Sequence, residues 1–381
     1  MLITPRHTNK LSIFFLFCFT LLLTLLLSLP WVNAKETPKP KPQDWQINGI
    51  SAALDDGHDK VKEYALKQLV EYDLKDLKSL VKKPEDIAQK AVKILKDKSV
   101  DSDVRSSAAE ALGNLGEAAK PYVKDILNFL NDKNVDSSAR AGAVKALGNL
   151  GEAATPYVKD ILDFLKDETI DSTVRYGAAE ALGNLGEAAT PYVKDILNFL
   201  NDKTVDSNVR SSAVEALGNM GEAATPYVKD IADILKDKSV DFNVRFGAAR
   251  ALGNLGEAAI PYVKDILNIF KDKTVDSNVR YSAALALGNL GEASTPYVKD
   301  IADILKDKSL DSPVRSGAAE ALGNLGEAAK PYVKDIADIL KDKSVYLYIR
   351  SSAAEALGNL GKVATPYVKD IADILKDKTV D

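Results

Sequence analysis

The stretch Asp171-Ser-Thr-Val-Arg-Tyr-Gly-Ala-Ala-Glu-Ala-Leu-Gly-Asn-Leu-Gly186 decides the fold. Val174, Ala178, Ala181, Leu182 and Leu185 fall on one stripe at helical spacing. Ser172 is placed to cap this helix, and in another unit Pro313 directly follows Ser312, which supports a helix start there. Gly186 stands where a left-handed C-terminal residue is wanted. Gly183, inside the helix, costs about 1 kcal/mol against alanine. Its recurrence predicts another backbone packed closely against it.

Working upstream, Thr155 and Pro156 suit a cap and a first helical turn. Val158, Ile161, Leu162 and Leu165 then form an apolar stripe, and Lys166 suits the last turn, where a cation complements the helix dipole. Two helices therefore alternate across the short loop from Asp167 to Asp171. The pair recurs. Leu-Gly-Asn-Leu-Gly, once with methionine in fourth place, begins at Leu112, Leu147, Leu182, Leu217, Leu252, Leu287, Leu322 and Leu357, every 35 residues. Pro-Tyr-Val-Lys-Asp begins at Pro121 and recurs with the same period as far as Pro366. A fixed period of this size signals stacked hairpins, none of which can bury its own stripes alone. The expectation is an all-α, right-handed α-solenoid of helical hairpins.

The pattern Asp-Ser-x-Val-Arg-x-x-Ala-Ala-x-Ala-Leu-Gly-x-Leu-Gly resembles the second helix of HEAT repeats. It is similar above all to the short HEAT-like repeats of photosynthetic bacteria, a group that includes phycobilin lyase subunits. The resemblance covers residues 84–381. It implies that the arginines after the buried valine (Arg105, Arg140, Arg175, Arg210, Arg245, Arg280, Arg315 and Arg350) tie repeats together through a loop aspartate. It implies a protein-binding array, with partners that vary across the family.

The remaining chain divides into short pieces. Arg6 and Lys10 precede an apolar run from Leu11 to Leu29, followed by Val32-Asn33-Ala34. Residues 1–34 read as a signal peptide cleaved after Ala34 or, given the length of the run, as an uncleaved N-terminal anchor. Either reading places the protein in an exported location, periplasmic or extracellular, the second with a membrane tether. Residues 35–44 form a Pro/Lys-rich linker that favours extended backbone. Residues 45–83 read as a degenerate N-terminal capping repeat, with Val61, Ala65, Leu66 and Leu69 in the places of Val104, Ala108, Ala109 and Leu112. Trp45 is expected to close the apolar end of the stack. Residues 84–381 are the array, ending in a half repeat whose stripe (Val368, Ile371, Ile374 and Leu375) serves as a lid, invites end-to-end self-association, or marks an incomplete array.

Composition excludes several chemistries. One cysteine, Cys18 in the apolar run, makes no internal disulfide. Two histidines and that cysteine make no structural zinc site. A net charge of −5 leaves no basic footprint for nucleic acid. No Gly-rich phosphate loop, nucleophile–base pair or calcium loop is present, so no catalytic residue, metal ligand or cofactor is assigned.

Function is sought where the repeats differ. Two positions after the buried valine the sequence reads Ser106, Ala141, Tyr176, Ser211, Phe246, Tyr281, Ser316 and Ser351. This position lies about 200° round from the valine, away from the core. One turn later come Glu110, Lys145, Glu180, Glu215, Arg250, Leu285, Glu320 and Glu355. Phe242, Phe246 and Arg250 are spaced i, i+4, i+8. Tyr176, Phe242, Phe246, Arg250, Tyr281 and Leu285 are the candidate partner-binding residues, since aromatics and arginine favour protein-binding hot spots. The sequence reading is a non-catalytic exported scaffold that binds a protein or peptide on its concave face. The alternatives are an accessory or lyase-like subunit acting on a chromophore protein, or a purely structural elastic spacer.

Overall fold

The computed structural model describes residues 39–74, 84–369 and 372. The segment 1–34 with Cys18, residues 35–38 of the linker, and Ile371, Ile374 and Leu375 lie outside the described residues. Among the described residues there are helices and turns and no strand. They form two compact units, meeting in the chain between Ala286 and Leu287.

The first unit opens with α1 (Asp44–Ala53) and α2 (Asp59–Glu71), then α3 (Pro84–Lys96) and α4 (Ser102–Asn114). The hairpins α5 (Val123–Asn131) with α6 (Ser137–Asn149), α7 (Val158–Lys166) with α8 (Ser172–Leu185), and α9 (Val193–Leu200) with α10 (Ser207–Asn219) follow. Next are α11 (Val228–Lys236) with α12 (Phe242–Asn254), and α13 (Val263–Lys271) with α14 (Ser277–Asn289), whose residues from Leu287 onward belong to the second unit. The second unit continues with α15 (Val298–Lys306) and α16 (Ser312–Asn324), then α17 (Val333–Lys341) and α18 (Leu347–Leu360).

The two helices of a hairpin are built differently. α7 buries one face: Val158, Ile161, Leu162, Phe164 and Leu165. α8 is buried nearly all round, and there Val174, Gly177, Ala178, Ala179, Ala181, Leu182 and Gly183 are small or slim. α8 packs against its own first helix α7 and against the second helices α6 and α10 on either side, so only small side chains fit its flanks. The expected close approach at the helical glycine is present. A Cβ on Gly148 would lie 2.6 Å from Ala181 Cα, and one on Gly218 would lie 2.5 Å from Ala251 Cα. In the second unit, a Cβ on Gly323 would lie 2.7 Å from Ala356 Cα.

Several local expectations are corrected. The chain from Gly151 to Tyr157 is a 3-10 helix that includes Thr155 and Pro156, and α7 starts only at Val158. Proline's missing N–H is therefore absorbed in the 3-10 turn, and the Val158 N–H donates to the Thr155 carbonyl. The second helix is capped by Asp171, whose carboxylate accepts from the Thr173 N–H at 2.8 Å, while Ser172 is the first helical residue. Gly186 has φ 53° and ψ −121°, a positive-φ conformation outside the left-handed helical well that glycine alone adopts readily. The equivalent glycines all have φ between 52° and 59°.

The arginines act within a repeat. Arg175 Nε donates to the Leu165 carbonyl, at the end of its own first helix, at 2.9 Å. Arg105, Arg140, Arg245, Arg280, Arg315 and Arg350 repeat this bond at 2.7–3.0 Å. Each guanidinium thus satisfies a helix-end carbonyl that has no partner inside its helix. The reach to the next repeat is through a ring: Arg105 lies over Phe129 at 4.7 Å and Arg175 over Phe199 at 5.8 Å.

The loop aspartates instead organise their own turns. Asp167 accepts from the Thr169 N–H and hydroxyl, and Asp342 from those of Ser344. Lys98 and Lys308 cross to Asp132 and Asp342 of the following repeats at 2.9 and 3.1 Å. The Lys98 bond holds the Asp132 carboxyl down at about 2, and the Ser344 hydroxyl and amide, with Lys308, do the same for Asp342, also about 2. Both values lie below the ordinary 3.8, so this contribution to stability is present above pH 3.8 and is lost as pH falls towards 2. The melting temperature is expected to drop between pH 4 and 2, and Asp132→Asn to drop less over that window. An unchanged pH profile in the variant would remove Asp132 from the account.

At the N-terminal end, Ala65, Leu66 and Leu69 are buried. Trp45 does not close the stack: it is 73% exposed. Ile47 and Ile50 of α1 are the buried residues, and two positions from Ile47 a side chain points about 200° away. Val61 also departs from its alignment and is exposed.

Candidate functional site

The second helices carry one outward stripe at i, i+4, i+8, and α12 fills it with Phe242, Phe246 and Arg250. Phe242 is the first residue of the helix and is 45% exposed. Phe246 is half-buried, and the Arg250 side chain is 49% exposed. The Arg250 guanidinium lies 5.9 Å from the Phe246 ring centre and bonds the Glu215 carboxylate of α10 at 3.2 Å. Burial raises the Glu215 pKa, and Arg250 opposes the shift. Two aromatic rings and a guanidinium therefore share one ridge, with the cation steered over a ring by its carboxylate partner.

The neighbouring helix is held close. The Ser282 hydroxyl of α14 donates to the Phe246 carbonyl at 3.0 Å. This bond sets α14 beside α12, and Tyr281 and Leu285 are half-buried on α14. Phe242, Phe246, Arg250, Tyr281 and Leu285 thus sit on two adjacent helices. Tyr176 belongs elsewhere: it is on α8, with α10 between it and α12, and is 53% exposed. Its neighbours are Lys145 and Glu180, which bridge α6 and α8 at 2.8 Å.

The row is less uniform than its spacing implies. Ser211 and Ser316 are buried. A Cβ on Gly247 would meet the Ser211 carbonyl at 2.7 Å, so the next helix covers that serine. The Ser316 hydroxyl is hydrogen-bonded to that of Ser352. Tyr346, Leu347 and Tyr348, which replace the usual Asp-Ser-x, are exposed at the start of α18, and Tyr346 at the cap position makes no capping bond.

Two features escaped the sequence reading. One is an open groove of about 730 Å³ between α5 and α7, lined by Lys124, Asn131, Arg140, Asp160, Asp163 and Asp167 among others. Arg140 is half-buried here, and Ala139 stands where the other repeats have valine or isoleucine. The other is a row of exposed asparagines at the ends of the second helices. The recurrent Leu-Gly-Asn motif contains that row, but an asparagine that never varies does not stand out when repeats are set against one another. Among the described residues, no cluster of three or more metal-ligating side chains occurs.

Comparison with known families matches HEAT repeats over residues 123–205, 193–275 and 271–358, together more than half of the chain. The chain belongs to the HEAT-repeat family. A single PBS lyase HEAT-like repeat also matches, at residues 104–132. No curated protein sequence matches the chain. Among solved structures, importin beta is 16% identical with a TM-score of 0.52, over 88% of this chain and 50% of its own. The karyopherin Kap121p bound to Nup53p is 16% identical with a TM-score of 0.46, over 92% and 41%. Human deoxyhypusine hydroxylase is 22% identical with a TM-score of 0.33, over 75% and 99%. The chain spans half of importin beta and less than half of Kap121p. The likeness to importin beta is one of fold.

Proposed function

We propose that this HEAT-repeat protein is a non-catalytic, exported scaffold that binds a protein or peptide through the ridge centred on α12. One observation carries the reading. Phe242, Phe246 and Arg250 stand exposed or half-exposed on one face. The equivalent second helices fold with Ser102, Ser106 and Glu110, or with Ser207, Ser211 and Glu215, at those places. Packing therefore does not demand the large residues, and contact residues of this type dominate binding energy where they are partly desolvated. Tyr281 and Leu285 extend the ridge onto α14. Tyr176 is an outlying contact.

The test is capture from envelope extracts of the source cells with the wild-type chain and with a Phe246→Ser, Arg250→Glu, Tyr281→Ser variant. These substitutions copy residue types that other repeats carry, so an unchanged helical spectrum and melting curve are expected. The captured partner is expected to fall at least tenfold, about 1.4 kcal/mol of binding energy. Recovery of the same partners in the same amounts overturns the reading. Capture of a bilin protein would support the chromophore-subunit alternative, which rests on the single lyase-type repeat match. A reporter fused to residues 1–50 tests export.

A further inference from the structure

Every second helix of the array ends its outward stripe in an asparagine, whatever precedes it. In the first unit Asn149, Asn184, Asn219 and Asn254 are all exposed. Neighbours meet in pairs: Asn184 Nδ2 donates to Asn149 Oδ1 at 3.5 Å, and Asn254 Nδ2 to Asn219 Oδ1 at 2.8 Å. A carboxamide offers two donors and an acceptor oxygen with two lone pairs, so one bond per pair leaves most of that capacity facing solvent.

The first asparagine of the row shows what such a group can hold. Asn114 Nδ2 donates to the backbone carbonyls of Leu69 and Tyr72 at 2.6 and 3.0 Å. Its Oδ1 accepts from the ammonium of Lys39 at 3.2 Å. The next residue, Pro40, gives its carbonyl to the Asp73 N–H at 3.0 Å. Lys39 and Pro40, in the non-helical stretch 39–43 that precedes α1, are therefore laid against the first position of the row. Adjacent helices pack about 10 Å apart, and extended chain rises about 3.1–3.4 Å per residue. A peptide crossing the row thus meets one carboxamide about every three residues. The carboxylates one turn back are engaged already, Glu180 by Lys145 and Glu215 by Arg250. Recognition of a lysine consequently falls to the amide oxygens, as it does at Asn114.

We propose that Asn149, Asn184, Asn219 and Asn254 form a docking track for an extended, proline- and lysine-containing peptide, held as Lys39 is held at Asn114. The inference rests on the peptide-binding reading of these helices and assigns the chemistry of the ligand. Prolines keep such a peptide extended before it binds, which lowers the ordering cost.

The probe is a fluorescein-labelled peptide with the sequence of residues 35–46, titrated into the full chain by anisotropy. Saturable binding is expected. The variant with all four asparagines changed to alanine is expected to bind about tenfold more weakly with an unchanged melting curve. A peptide with both residues equivalent to Lys39 and Lys41 changed to glutamate is expected not to bind, a result that does not depend on the variant's folding. Absence of saturation at millimolar protein, equal affinity of the asparagine variant, or equal affinity of the glutamate peptide each overturns the proposal. The ridge variant separates the two readings. If Phe246→Ser, Arg250→Glu, Tyr281→Ser lowers partner capture while the probe fails to bind, the track alone is wrong. If that variant leaves capture unchanged while the probe binds through the asparagines, the ridge alone is wrong.

Discussion

Gly218→Val is expected to destabilise the first unit by about 3 kcal/mol or more. A Cβ on Gly218 would lie 2.5 Å from the Ala251 Cα and 3.0 Å from its carbonyl oxygen. Both are backbone atoms of α12, so no rotamer change relieves the clash. The helices must part, and the apolar contacts along α10 and α12 part with them. For a unit of this size the loss corresponds to a fall in melting temperature of roughly 6–12 °C. Gly358→Ala is the control, because nothing described lies within 4 Å of the Cβ it would gain. Inside α18 that change is expected to stabilise by about 0.5–1 kcal/mol through helix propensity. Opposite signs at two glycines of the same motif would show that close approach, rather than flexibility, is what glycine supplies at position 218. Losses of equal size would contradict this.

Arg245→Met is the second large effect, at about 2 kcal/mol of lost stability. Arg245 is buried, and its Nε donates to the Leu235 carbonyl at 2.9 Å. Methionine keeps much of the apolar stem but leaves that carbonyl buried without its donor. The last turn of α11 is expected to fray, and its amides to exchange faster than those of α13. Arg140→Met is expected to cost less than half as much, although its bond to the Leu130 carbonyl is shorter at 2.7 Å. Arg140 is half-buried. Water at the open groove can therefore replace the lost donor. Hydrogen exchange and urea unfolding of the two variants check the ranking.

The period and the stripes made the hairpins legible in the sequence, because burial on a helix is periodic and the eight copies agree. Gly183, read as a site of close approach, proved to be one for the same reason: a glycine in a helix is costly unless a neighbour needs the space. The ends of the helices were less legible. Thr155-Pro156 satisfies the rules for a helix start, yet the 3-10 turn before Val158 takes it up. Asp171 and Ser172 both carry capping oxygens, so composition alone does not choose between them. Trp45 departs from the expected lid because its helix turns Ile47 inward and leaves the indole exposed.

The ridge residues are legible in the sequence because they differ from repeat to repeat. Tyr176 shares a row with Phe246 but not a neighbourhood, since a row fixes direction and not distance. The asparagine row is invariant and is not legible in that way. It stands out only when an exposed carboxamide is seen meeting its counterpart in the next helix.

The near-identical flanks of the second helices have a consequence for how the chain finds its fold. Ala181, Ala216 and Ala251 offer almost the same seat to the glycine of the preceding helix. At this glycine–alanine contact alone, α8 does not distinguish α10 from α12. Skipping one repeat would loop out 35 residues, a closure that differs little in entropy from many others. Emergence of the repeats one by one during synthesis is expected to favour the correct order. A fully denatured chain lacks that schedule, and register-shifted stacks are the traps it has to escape.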